Sequence, residues 1–237
     1  MSRFDVIAFD ADDTLWHNER LYVATQGRFR ALLGEYLDSA VIDARLYATE
    51  MRNLQHFGYG IKAFALSMIE TAVELTEGRI EGRDVQRLID MAREMLAADI
   101  ELLDHAAETI ARLSMTHPLM LITKGDLRDQ EAKVARSGLS HYFRQIEIVS
   151  DKTPESYLAL LHRHDIVAAR FLMVGNSLRS DVLPVLALGA SAVYVPHHLT
   201  WVHEVVPPPP AGHPGYYCLE DLGGLPSLIQ QLEQAFV

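Results

Sequence analysis

Phe4-Asp-Val-Ile-Ala-Phe-Asp10-Ala-Asp12-Asp-Thr14-Leu-Trp16 is the stretch from which the rest of the chain is read. Val6 to Phe9 is a short apolar run of strand formers that gives way at once to three carboxylates and a hydroxyl, the pattern of a buried strand ending at a polar edge. In extended backbone, residues two apart point the same way, so Asp10 and Asp12 face one pocket and Ala11 faces away. Two like charges ~4 Å apart at an effective dielectric of ~20 repel by about 4 kcal/mol, more than an exposed ion pair returns. A cation or a shared proton is needed, and a hard divalent ion such as Mg2+, bound through oxygen, is the economical answer. Asp13 points off that face and reads as turn chemistry.

The 237 residues suit one domain with a large insertion, or two domains. A hydrophobic fraction of 49% and a charged fraction of 22% are ordinary for a globular protein. The net charge of −11 gives no electrostatic footprint for nucleic acid or an anionic membrane. A small anionic substrate must then be held locally, by a metal and a few placed cations. Cys218 is the only cysteine, which rules out an internal disulfide, fits a reducing compartment and suggests a packed core thiol. The first strand starts near residue 4, leaving no room for a signal peptide, and no apolar run nears the ~20 residues of a membrane span. The expected location is the cytoplasm.

From about Glu19 to Ala98 the apolar residues recur every three or four positions, as in Phe29, Leu32, Leu33 and Tyr36, and strand signals are absent. Helices are expected at about 20–37, 40–56, 61–77 and 83–98, with breaks at Gly58/Gly60 and at Glu77 to Gly82. After Asp104, apolar strands (Leu119 to Thr123, Gln145 to Val149, Phe171 to Gly175, Ala192 to Val195) alternate with amphipathic helices. That alternation predicts an α/β fold, a doubly wound parallel sheet with helices on both faces. The first strand must rejoin this sheet, so 1–18 and 99–237 form the core and 19–98 an inserted all-helical domain over the carboxyl ends of the strands. Pro196 to Gly215, with the run Pro207 to Pro210, reads as a stiff surface loop. A last strand at Tyr216 to Leu219 and a helix from about Leu225 to Ala235 close the chain.

Three of the later strands end in a polar residue of a useful kind. Thr123 and Lys124, with flexible backbone at Gly125, can present donors to phosphate oxygens. Lys152 precedes a strong helix start, with Thr153 as N-cap and Pro154 at the first helical position, and as a cation it could neutralise the aspartate cluster together with a bound phosphate. Gly175 permits close backbone approach, while Asn176 and Asp181 offer further oxygen ligands. Together these place a metal set at Asp10, Asp12, Asn176 and Asp181, with phosphate ligands at Thr123, Lys124 and Lys152.

Asp10, Asp12 and Thr14, followed in order by Thr123, Lys152 and Asn176/Asp181, resemble the four motifs of the haloacid dehalogenase-like hydrolase superfamily, in its phosphatase branch with a helical cap. The likeness spans nearly the full length. It implies that Asp10 is the nucleophile, forming an aspartyl phosphate, and Asp12 the acid/base, whose main-chain carbonyl also meets the metal. It implies that Thr123 and Lys152 hold the phosphoryl group. Asn176 departs from the family's usual aspartate, which leaves open whether Asn176 or Asp181 meets the metal directly. The family's dehalogenases lack the second acid, so Asp12 favours a phosphatase.

The expected function is Mg2+-dependent hydrolysis of a small phosphorylated metabolite by a monomer or homodimer. Alternatives are a catalytically weak binding or regulatory protein, motivated by Asn176, and a receiver-like phospho-acceptor domain, disfavoured by the spacing of the acids and by the inserted bundle. A zinc site among His197, His198, His203 and Glu204 meets none of the usual ligand spacings. Trp16 and His17 read as packing where the chain leaves for the insert, and Asn18 as a modest candidate for substrate contact.

Overall fold

The computed structural model describes residues 2–34, 37–210 and 212–236. Tyr36, expected on the apolar face of the first inserted helix, lies outside them. The chain divides into two compact units, one of Met1–Glu19, Ile100–Lys124 and Gln130–Val237, the other of Arg20–Asp99 with Gly125–Asp129.

The elements follow in the order β1 (Val6–Phe9), α1 (Glu19–Leu33), α2 (Ser39–Phe57), α3 (Ile61–Leu75), α4 (Gly82–Ala97), α5 (Ala106–Ser114), β2 (Leu119–Lys124), α6 (Leu127–Arg136), β3 (Gln145–Val149), α7 (Pro154–Arg163), β4 (Phe171–Gly175), α8 (Leu183–Leu186), β5 (Ser191–Tyr194), β6 (Tyr216–Cys218) and α9 (Leu225–Gln234). All six strands pair in parallel, in the order β3-β2-β1-β4-β5-β6.

Period-two alternation sorts the sheet's side chains between two cores. Ile7 and Phe9 pack with Leu121, Val174 and Val193 against α5 and α9, whereas Val6 and Ala8 pack with Met120, Ile122 and Met173 against Tyr157 and Leu161 of α7. Both faces are covered, which is why β1, β2 and β4 read as unbroken apolar runs. β1 lies between β2 and β4, and the chain winds outward from it in both directions. The carboxyl ends of β1 and β4 therefore border the switch point where open α/β sheets bind ligands.

In the helical unit, Phe29 and Leu33 of α1, Ile42 and Leu46 of α2, Phe64 and Met68 of α3, and Leu88 and Met91 of α4 share one core at helical spacing. Gly58 and Gly60 take φ of 69° and 111°, which ends α2 and starts α3. Among the described residues, no helix is long and apolar enough to cross a membrane.

Element ends fall within about two residues of the sequence expectation in most cases, the usual fraying. Among the described residues, the stretch from Pro196 to Gly215 carries one 3-10 turn, at Val202–Glu204, and no strand. Cys218 corrects the expectation of a core thiol: it is exposed, because β6 is the short outer strand of the sheet and Cys218 ends it.

Candidate active site

Three loops leaving the carboxyl ends of β1, β3 and β4 assemble around Asp10. The Asp10 amide continues the ladder to Val174 O (2.9 Å), which fixes its carboxylate beside the turn that follows β4. Thr153 caps α7, accepting from Ser156 N (3.2 Å), with Pro154 at its first position as the sequence indicated. That cap holds Lys152 at the mouth of the sheet. The Lys152 side chain is 1% exposed, and its ammonium donates to Asp10 Oδ1 and, at 2.7 Å, to Asp181 Oδ1. The second oxygen of Asp181 accepts from Ser177 N (2.9 Å). Gly175 makes this possible, since a Cβ there would lie 2.3 Å from Asp181 Oδ2.

The electrostatics follow from two acids sharing one cation, with Asp12 close enough to Asp10 to add to its repulsion. Burial pushes the Asp10 carboxyl up to about 7 against the pull of Lys152, with Asp181 and Asp12 adding to the rise. Burial alone would lower Lys152, but Asp10 and Asp181 outweigh it and hold the ammonium charged.

Asn176 faces the same point from β4. One end of its amide lies 3.2 Å from Asp10 Oδ2, 3.1 Å from Thr14 Oγ1 and 3.3 Å from the main-chain oxygen of Asp12. Thr14 Oγ1 in turn accepts from Asn176 N (3.1 Å) and donates to Asp10 Oδ2 (3.2 Å). A carboxylate oxygen and a main-chain carbonyl thus converge on the NH2 end of the amide; turned over, the amide would present its oxygen and complete the hard, oxygen-only donor set that Mg2+ takes.

Asp12 has partners of its own. It accepts from Trp16 Nε1 (2.7 Å), Gln130 Nε2 (2.9 Å) and Lys133 Nζ (3.0 and 3.2 Å), while Lys133 also donates to Asn18 Oδ1 (2.8 Å). Gln130 and Lys133 had no place in the sequence reading. Their spacing of three puts them on one face of α6, but nothing in the residues alone says that this face meets Asp12. Asn18 is buried in that network.

The two other residues assigned to phosphate are held elsewhere. Thr123 Oγ1 donates to Gln130 Oε1 (3.3 Å). The Lys124 ammonium donates to Glu204 Oε1 (2.6 Å) and Ser180 Oγ (2.8 Å), and Glu204 Oε2 accepts from Ser177 Oγ and Ser180 Oγ (2.5 and 2.6 Å). Glu204 thus ties the proline-rich loop to the ends of β2 and β4. Burial works against its charge, but Lys124 and the two hydroxyls prevail and take its carboxyl from 4.5 down to about 2. The folded state gains from this charge above pH 4.5 and loses the gain as pH falls toward 2. Glu204→Gln should therefore cost roughly 3 kcal/mol at pH 6, a difference that closes near pH 2. Denaturant unfolding of both proteins across that range checks it.

Asp13, His17 and His197 each offer a ligand atom within 4.8 Å of the others, a set able to hold a metal ion. Two imidazoles and a carboxylate are zinc chemistry rather than magnesium chemistry. Ligands ~2.1 Å from one ion sit about 3–3.5 Å apart, and His197 Nδ1 lies 3.7 Å from Asp13 Oδ1, slightly beyond that. Asp13 is already engaged: at φ 60° it accepts from the amides of Asn18 (2.8 Å) and Glu19 (2.9 and 3.1 Å), at the start of α1. The turn reading of Asp13 stands, with burial added.

Comparison with known proteins follows the same lines. The family model for haloacid dehalogenase-like hydrolases matches residues 4–189. A haloacid dehalogenase-like family hydrolase from Xanthomonas campestris is 42% identical, covering 98% of this chain and 93% of that one, with a TM-score of 0.88. The chain belongs to the haloacid dehalogenase-like hydrolases. Magnesium-bound YfnB from Bacillus subtilis, a HAD-hydrolase, is 18% identical over 96% of this chain and 99% of that one, with a TM-score of 0.64. The L-2-haloacid dehalogenase of Xanthobacter autotrophicus is 19% identical over 96% and 98%, also with a TM-score of 0.64. These two share the fold of this hydrolase. No curated protein matches the chain in sequence.

Proposed function

We propose that this hydrolase is a Mg2+-dependent phosphomonoesterase that acts on a small phosphorylated metabolite through an aspartyl phosphate at Asp10. The supporting observation is one strand end that carries two carboxylates in different surroundings, Asp10 against Lys152 and Asp12 against Trp16, Gln130 and Lys133. Two acids kept apart in this way can take two roles.

In the first step an oxygen of Asp10 attacks phosphorus, the bond to the leaving oxygen breaks, and Asp12 delivers its proton to that oxygen. In the second, Asp12 as a carboxylate takes a proton from water as the water attacks phosphorus, and the bond to Asp10 breaks. Lys152 balances the carboxylate charge of Asp10 before it attacks and again as the bond to phosphorus breaks. The residues that would hold Mg2+ are Asp10, the main-chain carbonyl of Asp12 and the amide oxygen of Asn176. Asp181, committed to Lys152 and Ser177 N, would lend its charge from behind. Bound there, the ion would offset charge on the phosphoryl oxygens. The magnesium-bound Bacillus relative lends weight to the metal, and Asp12 separates this reading from a haloacid dehalogenase, whose halide needs no proton to leave.

The test is release of phosphate from a panel of monoesters, and of halide from a 2-haloacid, with Mg2+ and with a chelator. Phosphate release that needs Mg2+, with no halide, is expected. Halide release without metal, or no phosphate from any ester, would overturn the reading.

A further inference from the structure

We propose that Lys133 is a positioning residue for Asp12, one that tunes the acid step toward phosphate esters with poor leaving groups. The inference rests on the phosphatase reading above and extends it to substrate class.

Lys133 is 4% exposed, an unusual place for a lysine, since a buried ammonium costs several kcal/mol unless its partners are good. Its partners include both oxygens of Asp12 and the side-chain oxygen of Asn18. The other donors to Asp12 are just as fixed: Trp16 is fully buried, and Gln130, 2% exposed, is itself held by Thr123. Donors from three buried side chains leave the Asp12 carboxylate little freedom to turn. Each aspartate of the pair therefore has its own lysine, Lys152 for Asp10 and Lys133 for Asp12.

The chemistry follows from what Asp12 must do. Asp12 can pass a proton to the leaving oxygen only from the right orientation, and the ammonium with the two N–H groups holds that orientation. A nitrophenolate leaves without a proton, whereas an alkoxide does not, so only the alkyl ester draws on this help. A set of groups invested in Asp12 fits an alkyl phosphate, such as the phosphate of a sugar or polyol, better than an acyl or aryl phosphate.

The experiment compares kcat/KM on nitrophenyl phosphate, phenyl phosphate and an alkyl phosphate for the wild type, Lys133→Met and Gln130→Met, with thermal melts of each. kcat/KM reports only the steps up to Asp10 phosphorylation, so water attack does not blur it. Lys133→Met should lose on the order of 10²-fold on the alkyl ester and only a few-fold on the nitrophenyl ester. Gln130→Met should show the same skew at smaller size, and it carries the test if Lys133→Met does not fold. Equal losses on all three esters would mark a structural role and overturn the proposal while leaving the phosphatase reading intact. A wild type inactive on the whole series would defeat that reading and this proposal with it.

Discussion

Asp10→Asn is expected to abolish phosphate release, by ~10⁴-fold or more, while the protein stays folded and melts at or above the wild-type temperature. The two halves of this result have one cause. The amide has the shape of the carboxylate and can still meet Thr14 and Lys152, so the packing around β1 is kept. It has no nucleophilic oxygen anion, so the covalent step is lost. The charge it removes is one that the fold holds at a cost: burial, Asp181 and Asp12 all oppose it, and Lys152 only partly answers. Neutralising it relieves that cost, the usual trade between stability and function at a reactive site. Turnover assays and a melt of the same preparation check both halves. Lost activity with a fall of many degrees in Tm would mean that Asp10 serves structure first.

Lys152→Met should have the largest effect on stability. The ammonium is shared by Asp10 and Asp181, whose side chains are 10% and 1% exposed, and removing it leaves two buried carboxylates facing each other. Breaking a buried pair in this way costs about 3–5 kcal/mol. The loss should shrink as pH falls, because protonating Asp10, whose carboxyl burial already pushes up to about 7, relieves the repulsion. The variant is therefore least stable relative to wild type near pH 8 and recovers toward pH 5. Adding Asp181→Asn should restore part of the stability and none of the activity. Denaturant unfolding of the single and double variants at both pH values gives the answer, and an unaltered difference between pH 8 and 5 would count against the charge argument.

The fold was legible because two periodicities dominate this chain. Val6 to Phe9 and the later apolar runs announce a sheet covered on both faces, and the spacing of Phe29, Leu33, Ile42 and Leu46 announces helices. Residues at strand ends were legible too, since position alone brings Asp10, Lys152, Asn176 and Asp181 to one edge. Partners drawn from the sides of helices and from loops were not. Lys133 looks like any lysine on an amphipathic helix until α6 is laid against β2, and Glu204 sits in a loop whose path no periodicity fixes. Lys124 and Thr123 show the same limit: sequence placed them at the right strand end, but a side chain there can point to the pocket or to a neighbour. The position of Lys152 and the cap at Thr153 were readable because capping is local chemistry.

The most direct measurement is a rapid acid quench of the enzyme turning over a 32P-labelled monoester with Mg2+, followed by mapping of the labelled peptide. Label on Asp10 that is chased by unlabelled ester at the rate of turnover, and absent from Asp10→Asn, is the predicted result. Label on any other residue, or persisting in Asp10→Asn, would contradict the account.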